Sequence, residues 1–94
     1  MLDTLFAPRG IAVIGASRDE TKLGYGVARN LVESGYTGAI RFINPNADQI
    51  LGQRCYSSID LAPDPIDLAV VIVPAKIVPQ TLEACGARGI TACA

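Results

Sequence analysis

The chain has 94 residues, eight basic against nine acidic, a formal net charge of −1, 50% hydrophobic residues and no histidine. That length holds one domain, residues 1–94, with a thin core, because so short a chain buries only about 60% of the surface it exposes when unfolded. The composition excludes a disordered tail, the balanced charge excludes generic attraction to nucleic acid or an anionic membrane, and the missing histidine removes the commonest general base and metal ligand. Catalysis is therefore not expected to be completed by this chain alone.

The leading residues MLDTLFAP carry Asp3 and no basic stretch, so they do not read as a cleaved leader. The first predicted strand is GIAVI, Gly10–Ile14. An amphipathic helix follows in YGVARNLVES, with Val27, Ala28, Leu31 and Val32 on its inner face and Gly35 as its left-handed stop. The second strand is Ala39–Ile43, placed near an edge because it carries Arg41. Asn44-Pro45-Asn46 is a turn, Ala47–Leu51 a single helical turn, and Ser57 or Ser58 caps another turn over Ile59–Leu61. Asp64-Pro65 leads into the third strand, Leu68–Val73, whose unbroken apolar run suits burial on both faces. A second helix, VPQTLEACGARG, sets Val78, Leu82 and Cys85 inward and closes at Gly89, before a fourth strand at Ile90–Ala94.

This alternation predicts an α/β fold: a Rossmann-like parallel sheet with flanking helices and right-handed crossovers. With the four segments numbered in chain order, the expected strand order is 3-2-1-4. That places the switch point between Gly10–Ile14 and Ile90–Ala94, and leaves the domain truncated in or after its fourth strand. The apolar edge ITACA is then open to pairing with a second copy. Cys55, Cys85 and Cys93 form no CxxC pair, read as buried small apolar residues, and fit a reducing, cytoplasmic compartment.

The loop after the first strand, GASRDETKLGYG, has the glycine and small residues with which folds present backbone N–H groups and a helix N-terminus to phosphate. It fits neither G-x-G-x-x-G, since Ser17 and Glu20 hold the second and third glycine positions, nor the Walker pattern, since Lys22 precedes Gly24. Dinucleotide enzymes place a carboxylate after the second strand to hold a ribose hydroxyl, whereas this chain has Asn44-Pro45-Asn46 and no acid until Asp48. Arg18, Lys22 and Lys76 surround the expected crevice instead, which suits a ligand more anionic than NAD. The bland reading stands beside this one: Gly15 and Gly24 as tight turns, Ser17 as a turn cap, Val73-Pro74-Ala75 as a strand stop and the three cations as solvated. Arg29, Arg54 and Arg88 read as surface charge.

The segments LFAPRGIAVIGAS, K-x-G-x-G, NLVESGYTGAIRFINPN, ILGQRCYSSI and DLAVVIVPAKIVPQTLEACGARGI, which together span nearly the whole chain, resemble the N-terminal CoA-binding domain of NDP-forming acyl-CoA synthetases. This group includes acetate–CoA ligases (ADP-forming), is similar to the succinyl-CoA synthetase α subunit, and also opens fusions to GNAT-type protein acetyltransferases. The resemblance implies that Gly15, Ala16 and Ser17 contact coenzyme A phosphates, with Arg18, Lys22 and Gly24 in the same loop. It further implies that Asn44 and Pro45 border the adenosine, and that Val73, Pro74 and Ala75 flank the ligand from the other side, where Lys76 is the cation already noted. Asn46 stands where the family often has lysine. The family's phosphorylated histidine and ATP-grasp domain, with ATP, ADP and magnesium, would lie in partner domains or a partner subunit, with no catalytic or metal-ligating residue here. A stand-alone CoA-binding regulatory module and an NAD(P)-binding domain of an oxidoreductase or redox sensor are the alternative readings.

Overall fold

A computed structural model describes residues 8–90 and 92–93. Strand β1 is Gly10–Ile14, helix α1 Leu23–Glu33, β2 Ala39–Ile43, β3 Gln49–Ile50, β4 Gln53–Tyr56, β5 Leu68–Val71, α2 Val78–Ala87 and β6 Ala92–Cys93. Short 3₁₀ turns lie at Ile59–Leu61 and Ala75–Ile77. The strands form one sheet in the order β3-β4-β2-β1-β5-β6, with β3 antiparallel to β4 and the other pairs parallel.

Taken in chain order, the parallel strands β4, β2, β1 and β5 give the expected 3-2-1-4 arrangement, with β6 beyond β5. The segments that fill it differ from the sequence expectation. Gln53–Tyr56 is the third parallel strand, so Leu68–Val71 lies beside β1 instead of beyond β2, and Ala92–Cys93 lies beside β5 instead of β1. The switch point is therefore between β1 and β5, and the loops flanking it are within the described residues. Of the predicted strand Ile90–Ala94, Thr91 and Ala94 lie outside the described residues, as do residues 1–7 of the leading segment.

The hairpin β3–β4 replaces the helical turn expected over Ala47–Leu51. Its two-residue turn, Leu51-Gly52, has φ of +52° and +75°, the left-handed pair of a type I′ hairpin that Asn-Gly usually announces. Both strands are short, and Ile50 and Cys55 are their buried residues, so neither shows the apolar run that reveals a central strand. Strand β2 is interior, not an edge. Because β4 covers only its last two residues, Arg41 has room to donate from Nε to the Pro63 carbonyl (3.0 Å) and from Nη2 to the Asp64 carbonyl (3.2 Å).

Alternation along β1 divides the core into two layers. Ile11 and Val13 face α1 with Ala28, Phe42 and Cys55, whereas Ala12 and Ile14 face α2 with Ile59, Ala69 and Cys85. On α1, Val27 and Leu31 pack inward with Ala28, while Val32 turns outward, and Gly35 supplies the left-handed exit at φ +84°. On α2 the inward line runs through Thr81, Ala84, Cys85 and Arg88, leaving Leu82 exposed against expectation. Cys93 is exposed as well, while Cys55 and Cys85 are buried as expected. Ser58 precedes the Ile59–Leu61 turn without a side-chain cap.

Arg88 is not surface charge. Its side chain is 14% exposed, and it ties the end of α2 to the crossover before β5 by donating from Nη1 to the Ile59 carbonyl and from Nη2 to Asp64 Oδ1 (3.0 Å). Asp67 closes the amino ends of β1 and β5 by accepting the N–H groups of Arg9 and Gly10, each at 3.1 Å. Partial burial pushes the Asp67 carboxyl up, but the N–H donors of Arg9, Gly10 and Asp67 itself, with the Arg9 guanidinium, outweigh that and hold it below its ordinary value.

Replacing Arg88 with alanine leaves the Ile59 carbonyl without this donor and is expected to cost about 1–3 kcal/mol, measured as a lower denaturant midpoint at unchanged slope. The lowered Asp67 contributes stability that is present above the unfolded-state value, about 3.9, and is lost as pH falls through the folded-state value. Acid titration of stability in Asp67→Asn should therefore show a shallower fall below about pH 4 than the native chain.

Candidate functional site

The strand register builds the site. Ile14 is level with Ile43 and with Val71, and Ile43 is level with Tyr56, so four parallel strands end in one row. From that row rise the loops beginning at Gly15, Asn44, Ser57 and Ile72. Three backbone bonds continue the ladder past the strands: Gly15 N–H to Ile43 O (2.9 Å), Asn44 N–H to Tyr56 O (2.9 Å) and Ile72 N–H to Ile14 O (2.7 Å). The loops therefore leave from a rigid base.

Two glycines set how closely the walls approach. Gly15 adopts φ +97°, and a Cβ there would overlap the Ile72 carbonyl. Gly24, in the first turn of α1, is buried against the Gly15 carbonyl, which a Cβ would also overlap. Helix α1 thus begins directly over the end of β1. Lys22 is its N-cap residue, with no side-chain cap and no acidic residue in the first turn. The positive end of the helix and Lys22 consequently lie together on the groove side.

Two adjoining cavities share Gly15, Asn44, Asn46, Ile72 and Pro74. The first, about 440 Å³, lies toward α2 and is closed by Ile14, Ile43, Ile59, Val73, Ile77 and Ala84, with Ser57, Ser58, Gln80 and Thr81 at its margins. The second, about 480 Å³, lies toward α1 and adds Ser17, Lys22, Leu23 and Gly24. One groove therefore has an apolar limb and a cationic limb, meeting over Gly15 at the switch point.

The structure gathers most of the residues singled out in the sequence. Gly15, Ser17, Lys22, Gly24, Asn44, Pro45, Val73 and Pro74 line one cavity or both. Ala16, Arg18, Ala75 and Lys76 line neither. Ala16 is fully buried, which leaves its backbone as its means of reaching a ligand, and the other three are exposed beside the loops. Asn44 is a brace: its Nδ2 donates to the Ala16 carbonyl (2.8 Å), and its Oδ1 accepts the Asn46 N–H (2.8 Å). Ser17 Oγ accepts the Asp19 N–H (3.0 Å), and Asp19 Oδ1 accepts from both the hydroxyl and the N–H of Thr21 (2.7 and 2.9 Å). Those Thr21 bonds, hydroxyl first, hold the Asp19 carboxyl below its ordinary value, with Lys22 adding to the effect.

Sequence reasoning missed the α2 side of the apolar limb and the Ser57-Ser58 wall. Reading Gln53–Tyr56 as a strand would have found the latter, because every loop at a parallel strand's carboxyl end belongs to the crevice. Gln80 and Thr81 carry no local signal, and the Thr81 hydroxyl is already given to the Ile77 carbonyl (2.8 Å). The lining offers cationic, hydroxyl, amide and apolar contacts, with the Asp60 carboxylate beside Ser57 and Ser58.

Asn44→Ala removes the donor to Ala16 and the acceptor for Asn46 together. The expected cost is about 1–3 kcal/mol of stability, with faster amide exchange in the loop from Gly15 to Lys22, read by hydrogen exchange on the folded protein.

Residues 9–94 match the family described as CoA binding domain. The chain is 48% identical over 89 residues to acetate–CoA ligase [ADP-forming] II of Archaeoglobus fulgidus, covering 95% of this chain and 13% of that protein. It is 45% identical over 93 residues to the acetate–CoA ligase [ADP-forming] I subunit alpha of Pyrococcus furiosus, covering 95% of this chain and 20% of that subunit. Among solved structures, a dinucleotide-forming acetyl-coenzyme A synthetase 1 of Ca. Korarchaeum cryptofilum, in complex with phosphate and ADP, superposes with a TM-score of 0.94 at 40% identity. That superposition covers 99% of this chain and 20% of the synthetase. The chain thus spans a fifth or less of these relatives' length, and it belongs to the CoA-binding domain family.

Proposed function

We propose that the groove over Gly15 binds coenzyme A, and that the chain serves as the N-terminal CoA-binding domain, residues 1–94, of an ADP-forming acyl-CoA synthetase. The observation that carries this reading is the pairing of an uncapped α1 N-terminus and Lys22 with an apolar limb at one switch point. Coenzyme A has the matching parts: a diphosphate and a 3′-phosphate for the cationic limb, and uncharged stretches for the apolar one. The residues present fit that chemistry. N–H groups of Ala16 and Ser17, the Ser17 hydroxyl and Lys22 supply donors, Gly15, whose own N–H is held by the Ile43 carbonyl, gives the ligand close approach to the backbone, and Arg18 and Lys76 add attraction from the rim. Gly24 keeps the helix close, Asn44 and Pro45 border the ligand on the β2 side, and Val73, Pro74 and Ala75 flank it from β5.

The ligand supplies a thiol on which an acyl group is carried. This chain's share is to fix that ligand against a rigid row of strand ends and to neutralise its charge. Acyl transfer and nucleotide chemistry belong to partner domains, whose acyl substrate and nucleotide are outside what these residues select. Asn44-Pro45-Asn46 after β2, with no carboxylate to meet a ribose diol, supports coenzyme A over NAD(P).

Calorimetric titration of the full-length protein with coenzyme A and with NADH tests the reading. Lys22→Ala is expected to weaken coenzyme A binding about tenfold, the lower end for a charge-assisted hydrogen bond at an exposed site. The native protein's affinity should fall with added salt more steeply than the variant's. Equal affinity in the two proteins removes Lys22 from the site, and preference for NADH overturns the coenzyme A assignment.

A further inference from the structure

A third cavity, of about 500 Å³, lies on the β4 side of the groove and shares Pro45 and Ser57 with the apolar limb. Its wall also includes Asp48, Arg54, Tyr56 and Leu61. Arg54 and Tyr56 stand two apart on β4, so both project to one side of the sheet. The Arg54 Cζ lies 5.1 Å from the centre of the Tyr56 ring, which holds the guanidinium over the last residue of the strand. Arg29 and Arg88 pair with Glu33 and Asp64, and Arg41 donates to two carbonyls. Among the described residues Arg54 forms no salt bridge. It is therefore a positioned cation with its N–H donors available to a ligand.

We propose that Arg54 is a specificity-determining residue: it binds the 3′-phosphate of coenzyme A in this cavity, and so distinguishes coenzyme A from nucleotides that lack that group. The assignment rests on the coenzyme A reading and refines one part of it: the cationic limb keeps the diphosphate, and the 3′-phosphate lies beyond Pro45. The order of the strands supports this division. Strand β4 is two places from β1, with β2 between them, so its end lies about 10 Å from the end of β1 at the usual strand spacing. A diphosphate held at Gly15 and Lys22 leads through its ribose across the Asn44-Pro45-Asn46 turn of β2, and the phosphate on that ribose arrives at β4. There the planar guanidinium offers paired N–H bonds to phosphate oxygens, and its ring-facing side is already shielded from water by Tyr56. Asp48, the other charged residue of the wall, works against an anion, so Arg54 carries the attraction alone.

The test is calorimetric titration of the full-length protein with coenzyme A and with dephospho-coenzyme A, which differ only in the 3′-phosphate. The native protein is expected to prefer coenzyme A about tenfold, the lower end for a charge-assisted contact at an exposed site. Arg54→Gln should abolish that preference by weakening coenzyme A alone; its unchanged affinity for dephospho-coenzyme A shows that the variant is folded. Arg54→Lys, which keeps the charge without the fork, should fall between the two, and Asp48→Asn should widen the native preference. Lys22→Ala should weaken both nucleotides alike and leave their ratio as it was. Equal affinity of the native protein for the two nucleotides, an Arg54→Gln variant that keeps the native preference, or one that loses both nucleotides together overturns the proposal. Binding of neither nucleotide by the native protein overturns the coenzyme A reading itself, whereas binding with a preference that Arg54→Gln leaves unaltered overturns only the assignment to Arg54.

Discussion

Where β1 ends, Gly15 lets three segments meet within contact distance of one residue. The Ile72 carbonyl lies on one side of it, the first turn of α1 lies over its own carbonyl through Gly24, and its N–H is held by Ile43. Any side chain at Gly15 or Gly24 would push the β5 loop or the helix away, and the groove has its floor at that junction. Glycine's extra loss of backbone freedom, about 0.5–1 kcal/mol relative to alanine, is offset here by the ladder bonds and by the Asn44 brace on Ala16. The positive φ of Gly15 and the left-handed exit at Gly35 are needed for different reasons: the first for close approach, the second to turn a chain in open space.

The rest of the architecture keeps that junction rigid. A fully buried β1 sits between β2 and β5 and presents alternate residues to two helical layers. At the opposite end of the sheet, Asp67 gathers the N–H groups of Arg9 and Gly10, while Arg41 and Arg88 bind the crossover carbonyls and Asp64. Polar bonds at the amino end and apolar packing beneath the strand ends leave the carboxyl-end loops as the part of the molecule free to meet a ligand. Within those loops the cations divide by geometry. Lys22 lies at the helix end and in the groove, whereas Arg18 and Lys76 stand outside both cavities.

The legible parts of the sequence were those governed by local chemistry. Apolar β-branched runs marked β1, β2 and β5, Gly35 and Gly89 marked the helix exits, and the glycine loop before an amphipathic helix marked the site. The hairpin β3–β4 escaped because Leu51 occupies a left-handed turn position that its residue type does not advertise. Once that strand was missed, Leu68–Val71 was given the place beyond β2 and Ile90–Ala94 the place beside β1, so the switch point fell on the correct side of β1 but against the wrong strand. Arg41 was misread for a related reason. Its neighbour β4 is too short to cover it, so a charged residue in an interior strand finds carbonyls instead of water.

By itself, the order of apolar and polar residues determined an α/β chain with a phosphate-type loop after its first strand, because periodicity and turn chemistry act over a few residues. Tertiary structure alone decided which strands are neighbours, which cations reach the groove, and that Asn44 braces a loop from within the groove lining. Those outcomes rest on contacts between residues 14 and 43, 15 and 72, or 44 and 16. Sheet register and backbone close approach create such contacts, and no local pattern in a chain encodes them.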